Sequence, residues 1–149
     1  MELIFQGIAK AFELIVHFNP EVMGITWLSL KVSGIATFIS LLIGISLGVA
    51  IALNNFYGKK IVISLINTGM GLPPVVVGLF VTIFIWRSGP FGSLGILYTP
   101  TAMIIAQAII ATPIVMGISL AAIQNLHPNL RLQILSLGAS RLQMVWVLI

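Results

Sequence analysis

Side chains able to do chemistry are few in this sequence and poorly placed for it. The three acidic residues Glu2, Glu13 and Glu21 all lie near the start, the two histidines His17 and His127 stand far apart, and cysteine is absent. A tetrahedral metal site gathers three or four His, Cys, Asp or Glu side chains, and general acid–base catalysis needs a group within hydrogen-bond reach of its proton. Neither pattern is spelled out here. His127 precedes Pro128, the context of a cap or loop residue rather than a ligand. Without cysteine there is no disulfide framework and no thiolate site. The Gly-x-x-x-x-Gly-Lys-[Ser/Thr] loop that cradles nucleotide phosphates is missing as well. The chain is therefore expected to be no enzyme and to bind no cofactor itself. What is patterned instead is glycine and proline inside apolar sequence, above all Asn67-Thr68-Gly69-Met70-Gly71-Leu72-Pro73-Pro74. Two residues without a donor, each crowding the carbonyl four positions back, predict a broken helix. Irregular backbone within an apolar span is the way transporters line a cavity.

The elements carrying that break must sit in a membrane. Of 149 residues, 59% are hydrophobic and 7% charged, against about 45–50% and about 25% in soluble domains. This excludes a water-soluble globular enzyme, a disordered chain and a nucleic-acid-binding module. Uncharged stretches run over 32–58, 61–86 and 88–130, and about 20 residues suffice to cross a hydrocarbon core of roughly 30 Å. The expected architecture is an all-α, multi-pass bundle with spans at about 28–53, 61–86 and 101–122. Proton- or sodium-coupled carriers place ionisable residues within their spans, and these spans hold none beyond Lys31, in the first turn of the first. Power for transport is expected from a partner.

Several local signals mark the ends of these elements. Ile4, Ile8, Phe12, Ile15 and Val16 alternate at helical spacing with Gln6, Lys10, Glu13 and His17, which predicts an amphipathic helix in the membrane interface. Asn19-Pro20-Glu21 reads as an N-cap, a first helical position and an acidic first turn. Residues 1–25 are thus set apart from a transmembrane unit over 26–149. Ala36, Ser40, Gly44, Gly48 and Ala52 repeat every four residues along the first span, a strip that lets another helix come close. Lys59, Lys60, Arg131 and Arg141 fall on one side of the spans and Arg87 on the other, so the positive-inside rule predicts an external N-terminus and a cytoplasmic segment from Gln124 onward.

That final segment carries a short helical run over 130–137, a glycine, Gly138, suited to a left-handed helix end, and a capping box at Ser140-Arg141-Leu142-Gln143. An apolar run to Ile149 follows without a terminator, so the chain is expected to be incomplete at its C-terminus. Read from the residues alone, 130–137 is either a handle for an energy-supplying partner or an interfacial linker between spans.

Here the sequence resembles the permease subunit of type I ABC importers. The cytoplasmic signature of that family is Glu-Ala-Ala, three residues, Gly, nine residues, Ile-x-Leu-Pro. Gly138 matches its glycine and is followed by Ala139-Ser140-Arg141, a common continuation. Leu132, Gln133 and Ile134 occupy the Glu-Ala-Ala positions, with Leu135 next, and Leu148 stands at the Ile position. Leu72-Pro73-Pro74-Val75-Val76-Val77-Gly78 and Trp27-Leu28-Ser29-Leu30-Lys31-Val32-Ser33 resemble the molybdate and tungstate branch. The stretch from Leu97-Tyr98-Thr99-Pro100 through Gln107 is closer to tungstate permeases.

The resemblance implies a prokaryotic cell-membrane subunit that pairs with a copy of itself, with cytoplasmic ATPase subunits holding ATP and magnesium, and with an extracytoplasmic oxyanion-binding protein. It implies that Leu132, Gln133, Ile134, Leu135, Gly138, Ala139, Ser140 and Arg141 couple to the ATPase by shape and apolar packing, the family's acidic residue being replaced. Gly71, Pro73, Pro74 and Gly78 would then line or hinge the translocation pathway, unless they merely kink a packed helix. Arg87 would meet the anion or the binding protein, or anchor the interface. Two other readings remain: a permease of this type for sulfate, phosphate or an amino acid, and a passive channel or membrane scaffold.

Overall fold

The computed structural model describes residues 2–125, 136–138 and 143. Helix α1 (Glu2–Val16) is followed by α2 (Pro20–Leu53), α3 (Lys59–Met70), α4 (Pro74–Ile85), a single 3₁₀ turn at Gly92–Leu94 and α5 (Pro100–Gln124). No strand occurs among the described residues.

Helix starts follow the local chemistry. The Asn19 side-chain oxygen accepts a 3.0 Å hydrogen bond from the Glu21 amide, and Pro20 takes the first helical position, where its missing donor costs nothing. Proline also opens α4 and α5. Between α1 and α2 the chain turns through Phe18 at φ 48°. Ile4, Ile8 and Ile15 remain exposed, so the apolar face expected of α1 is not covered by the described chain. On the polar face Lys10 and Glu13 pair at 2.9 Å.

At 34 residues, α2 is about 50 Å long, well beyond the roughly 30 Å core. It begins at Pro20, earlier than the span read from hydropathy at about Leu28, because the cap rather than the membrane boundary decides where a helix starts. Helix α5 is also long and apolar enough to cross a membrane, whereas α3 and α4 qualify only as a pair, bent by 100° at their junction. Each has 12 residues, about 18 Å, too short to cross alone.

The core is the seam between α2 and α5. Val32, Ala36, Ser40, Gly44, Gly48 and Val49 are the buried residues of α2, so four of the five residues in the expected small-residue strip are buried; Ala52 is half-buried. Ser40 is wholly buried; its hydroxyl hydrogen-bonds to the Ala36 carbonyl at 2.8 Å and to Ala108 of α5 at 3.2 Å. A Cβ on Gly44 would lie 2.6 Å from that of Val115, and one on Gly48 would lie 2.8 Å from the Met116 carbonyl oxygen. Lipid offers helices no hydrophobic drive to associate, so this close approach of backbones supplies the packing energy.

The same contacts fix direction. Residues 40, 44 and 48 meet 108, then 112 and 115, then 116 and 119, both series rising, so α2 and α5 run parallel. The intervening chain must return to the side where α2 began. Helix α3 packs on the C-terminal half of α5, with Gly69 at Pro113 and Ile66 and Met70 at Gly117. Val77, Val81 and Ile85 of α4 pack with residues between Ile96 and Ile110. The α3–α4 unit therefore descends along α5 as one broken crossing rather than returning to its own side, which gives three crossings among the described residues.

This seam predicts a strong asymmetry between two conservative-looking substitutions. Gly48→Val must push backbone apart and should cost about 1–3 kcal/mol or more. Ser40→Ala loses an interhelical hydrogen bond of about 0.6 kcal/mol. Unfolding in mixed detergent–SDS micelles checks this; equal stability of the two variants would contradict the close approach.

Candidate functional site

The break between α3 and α4 is built by sequence-local forces. Pro74 drives Pro73 to extended geometry (φ −62°, ψ 133°), and Pro73 disfavours a helical Leu72 in the same way. Helix α3 ends as Gly71 donates to the Thr68 carbonyl at 3.1 Å and Leu72 to Gly69 at 3.4 Å. The carbonyls of Met70, Gly71 and Leu72 receive no backbone hydrogen bond among the described residues: Pro74, four residues after Met70, has no N–H, and the Val76 amide that a continuous helix would give to Leu72 bonds to Pro73 instead. Gly71, Leu72, Pro73, Pro74 and Val75 are all exposed. Bare carbonyls at membrane depth are stable only against protein or water, so this surface is chemically unsuited to face lipid tails.

Three of the four pathway residues expected from the sequence, Gly71, Pro73 and Pro74, thus come together at the break. Gly78 does not: it lies a turn into α4, half-buried, with open space where a Cβ would stand. Its carbonyl accepts the Thr82 hydroxyl at 2.8 Å. The structure gives Gly78 no conformational task, since its helix would accept alanine.

The break rests on α5 at two small residues. A Cβ on Gly69 would come within 3.0 Å of the Pro113 ring carbon, and one on Gly117 would collide with the Met70 sulfur. Pro113 lies inside α5 and removes a helical donor, freeing the Ile109 carbonyl. Sequence reading placed Pro113 near the centre of its span but not against Gly69; that pairing depends on the register of two helices far apart in the chain.

At the end of α2, Lys59 reaches the carbonyls of Ala52 at 3.0 Å and Asn54 at 2.9 Å. A cation on the last carbonyls of a helix satisfies them and offsets the negative end of the dipole. Sequence reading counted Lys59 only as a charge for orientation and missed this cap; a lysine just past a helix-ending Asn-Asn-x-x-Gly run was the available signal. Across the molecule, residues 86–99 fold tightly. Phe91 donates to the Phe84 carbonyl at 2.9 Å, the two rings stack at 6.3 Å, and Gly89 and Gly92 sit so close to the carbonyls of residues 83–87 that no larger residue fits. Arg87 is exposed and borders a cleft of about 470 Å³ with Trp86 and Tyr98.

Of the coupling residues, Gly138 is described, and it has φ 83°, the left-handed geometry expected of a glycine at a helix end. Leu132, Gln133, Ile134, Leu135, Ala139, Ser140 and Arg141 lie outside the described residues. Among the described residues no three His, Cys, Asp or Glu group together as a metal site.

Residues 40–149 match the family described as binding-protein-dependent transport system inner membrane component. The whole chain is 39% identical over 149 residues to the tungstate uptake system permease protein TupB of Peptoclostridium acidaminophilum, of which it covers 65%. It is 32% identical over 149 residues to TupB of Campylobacter jejuni, covering 62% of that protein. Over 109 residues, 73% of this chain, it is 45% identical to a probable anion ABC transporter permease protein of Haloferax volcanii, covering 47% of it. The chain thus spans less than two thirds of the length of these relatives. With a match running from Ser40 in the α2–α5 seam to the last residue, on a helical fold whose middle crossing is broken, the chain belongs to the family of binding-protein-dependent transport system inner membrane components.

Proposed function

We propose that this chain is the permease subunit of an ATP-driven oxyanion importer, with tungstate as the principal substrate and molybdate as the alternative. The observation that carries this reading is identity with tungstate uptake permeases along the chain's full length. The broken crossing supports it, because exposed carbonyls at membrane depth suit a wet pathway better than a lipid-facing surface.

In this reading two copies of the permease enclose the pathway, an extracytoplasmic binding protein delivers the anion, and the N-terminus is external. The partner ATPase subunits hold ATP and magnesium and supply the power there. This chain's part is mechanical. The segment around Gly138, following α5, docks on the ATPase and passes its movement to α5, and Gly71, Pro73 and Pro74 line or hinge the pathway that opens alternately to either side. Without an acidic residue at position 132, docking rests on shape and apolar contact.

Two outcomes are expected. Cells lacking the full-length gene should lose tungsten uptake at limiting supply, measured by elemental analysis, while molybdenum content falls less. Loss of molybdenum alone would reassign the substrate, and no change in either metal would contradict an oxyanion importer of this branch. At Gly138, where no described residue lies within 4 Å of an added Cβ, the backbone geometry at φ 83° is the obstacle to substitution. Gly138→Val should cost about 1–2 kcal/mol at φ > 0 and depress substrate-stimulated ATP hydrolysis, whereas Gly138→Asn, which tolerates that geometry, should retain most of it. Equal stimulation in the two variants would contradict a coupling role for this turn.

A further inference from the structure

Two irregular points of backbone lie at the same depth and touch. One is the break after Met70, where three carbonyls receive no backbone hydrogen bond among the described residues; the other is Pro113, which interrupts the hydrogen bonding of α5. They meet through two complementary seats on opposite helices. Gly69 of α3 rests against the ring of Pro113 of α5, and Met70 of α3 fills the space above Gly117 of α5. On its other side α5 is held along a different strip, by Ser40, Gly44 and Gly48 of α2. The α2 seam is backbone against side chain at close range along three successive turns. The α3 seat, by contrast, turns on a flexible thioether and one ring, next to backbone already free of helical hydrogen bonds.

We propose that the Gly69–Pro113 and Met70–Gly117 seats are the joint through which movement of α5 opens and closes the broken crossing, making these four positioning residues of the transport cycle. The proposal rests on the permease reading above. Helix α5 leads directly into the segment proposed to dock on the ATPase, and it bears on the break at these seats. A tilt of the C-terminal half of α5 about Pro113 therefore displaces Met70 first. Hinges absorb change where few backbone hydrogen bonds resist it, and both helices are weakest at this level. Methionine suits such a seat, since its three rotatable bonds let it follow a moving partner without losing contact.

The test uses the full-length permease assembled with its ATPase and binding protein in proteoliposomes. Gly117→Met places two thioethers in one space, Met70→Gly empties it, and the exchange variant Met70→Gly/Gly117→Met fills it again from the opposite helix. Co-purification with the ATPase shows that each variant assembles. Each single variant is expected to lower tungstate moved per ATP hydrolysed by about tenfold, and the exchange to recover to within about threefold of wild type, as coupled contacts do. A second readout does not depend on the solute: the reactivity of a cysteine at Leu72 toward a water-soluble thiol reagent should change with nucleotide in wild type and exchange, and not in the singles. Wild-type stoichiometry and nucleotide response in the singles, or an exchange no better than the worse single, would overturn the joint. A wild-type complex that moves neither tungstate nor molybdate while its Leu72→Cys reactivity still follows nucleotide would instead overturn the substrate reading and leave the joint supported.

Discussion

Helices in a bilayer gain nothing by hiding apolar side chains from lipid tails that are equally apolar. They hold together where small residues let backbones approach and where a polar group finds a partner across the gap. In this chain that condition is met along one face of α2, where Ser40, Gly44 and Gly48 admit Ala108, Val115 and Met116 of α5. Everything else in the fold is placed by this seam. Because its register makes α2 and α5 parallel, the intervening residues must cross the membrane once. Because α5 is pinned on one side, its other side is left to carry the broken crossing.

The broken crossing is a second constraint acting on the first. Pro73 and Pro74 remove donors that a continuous helix would need, and the resulting bend of 100° leaves carbonyls exposed at a depth where lipid cannot satisfy them. Protein or water must do so. The proposed pathway between subunits would provide water, which would link this local backbone chemistry to transport without any catalytic side chain. The long regular helices supply rigidity, and in the proposed function the irregular residues would supply the surface along which a hydrated anion passes.

Much of this was legible in the sequence because it is governed by near neighbours. The Asn19-Pro20 cap, the Gly71-Leu72-Pro73-Pro74 break, the small-residue strip of α2 and the left-handed turn at Gly138 each depend on a few consecutive or helically spaced residues. What was not legible depends on register between distant segments. Nothing local says that Gly69 meets Pro113, that Met70 sits on Gly117, or that Lys59 reaches back to the last carbonyls of α2. Gly78, expected together with Gly71, Pro73 and Pro74, lies a turn inside α4 with open space where a Cβ would stand, so the break itself does not require glycine there. The family resemblance added what physical reading of the residues could not reach, the proposed class of solute and the proposed kinds of partner.

The parallel seam between α2 and α5 is the claim on which the crossing count, the broken span and the proposed joint all depend. The most direct test is a pair of distances in the full-length protein in lipid nanodiscs, measured by pulsed electron paramagnetic resonance. Exposed positions Asn55, Gln124 and Thr101 can each be changed to cysteine, these 149 residues having none of their own and any cysteine outside them being replaced by serine, and labelled subunits diluted with unlabelled ones. Parallel packing predicts that labels at 55 and 124 lie close together on one side, and that labels at 55 and 101 are farther apart by about the 30 Å of the hydrocarbon core. The reverse order, with 55 nearer to 101 than to 124, would contradict the seam and the account built on it.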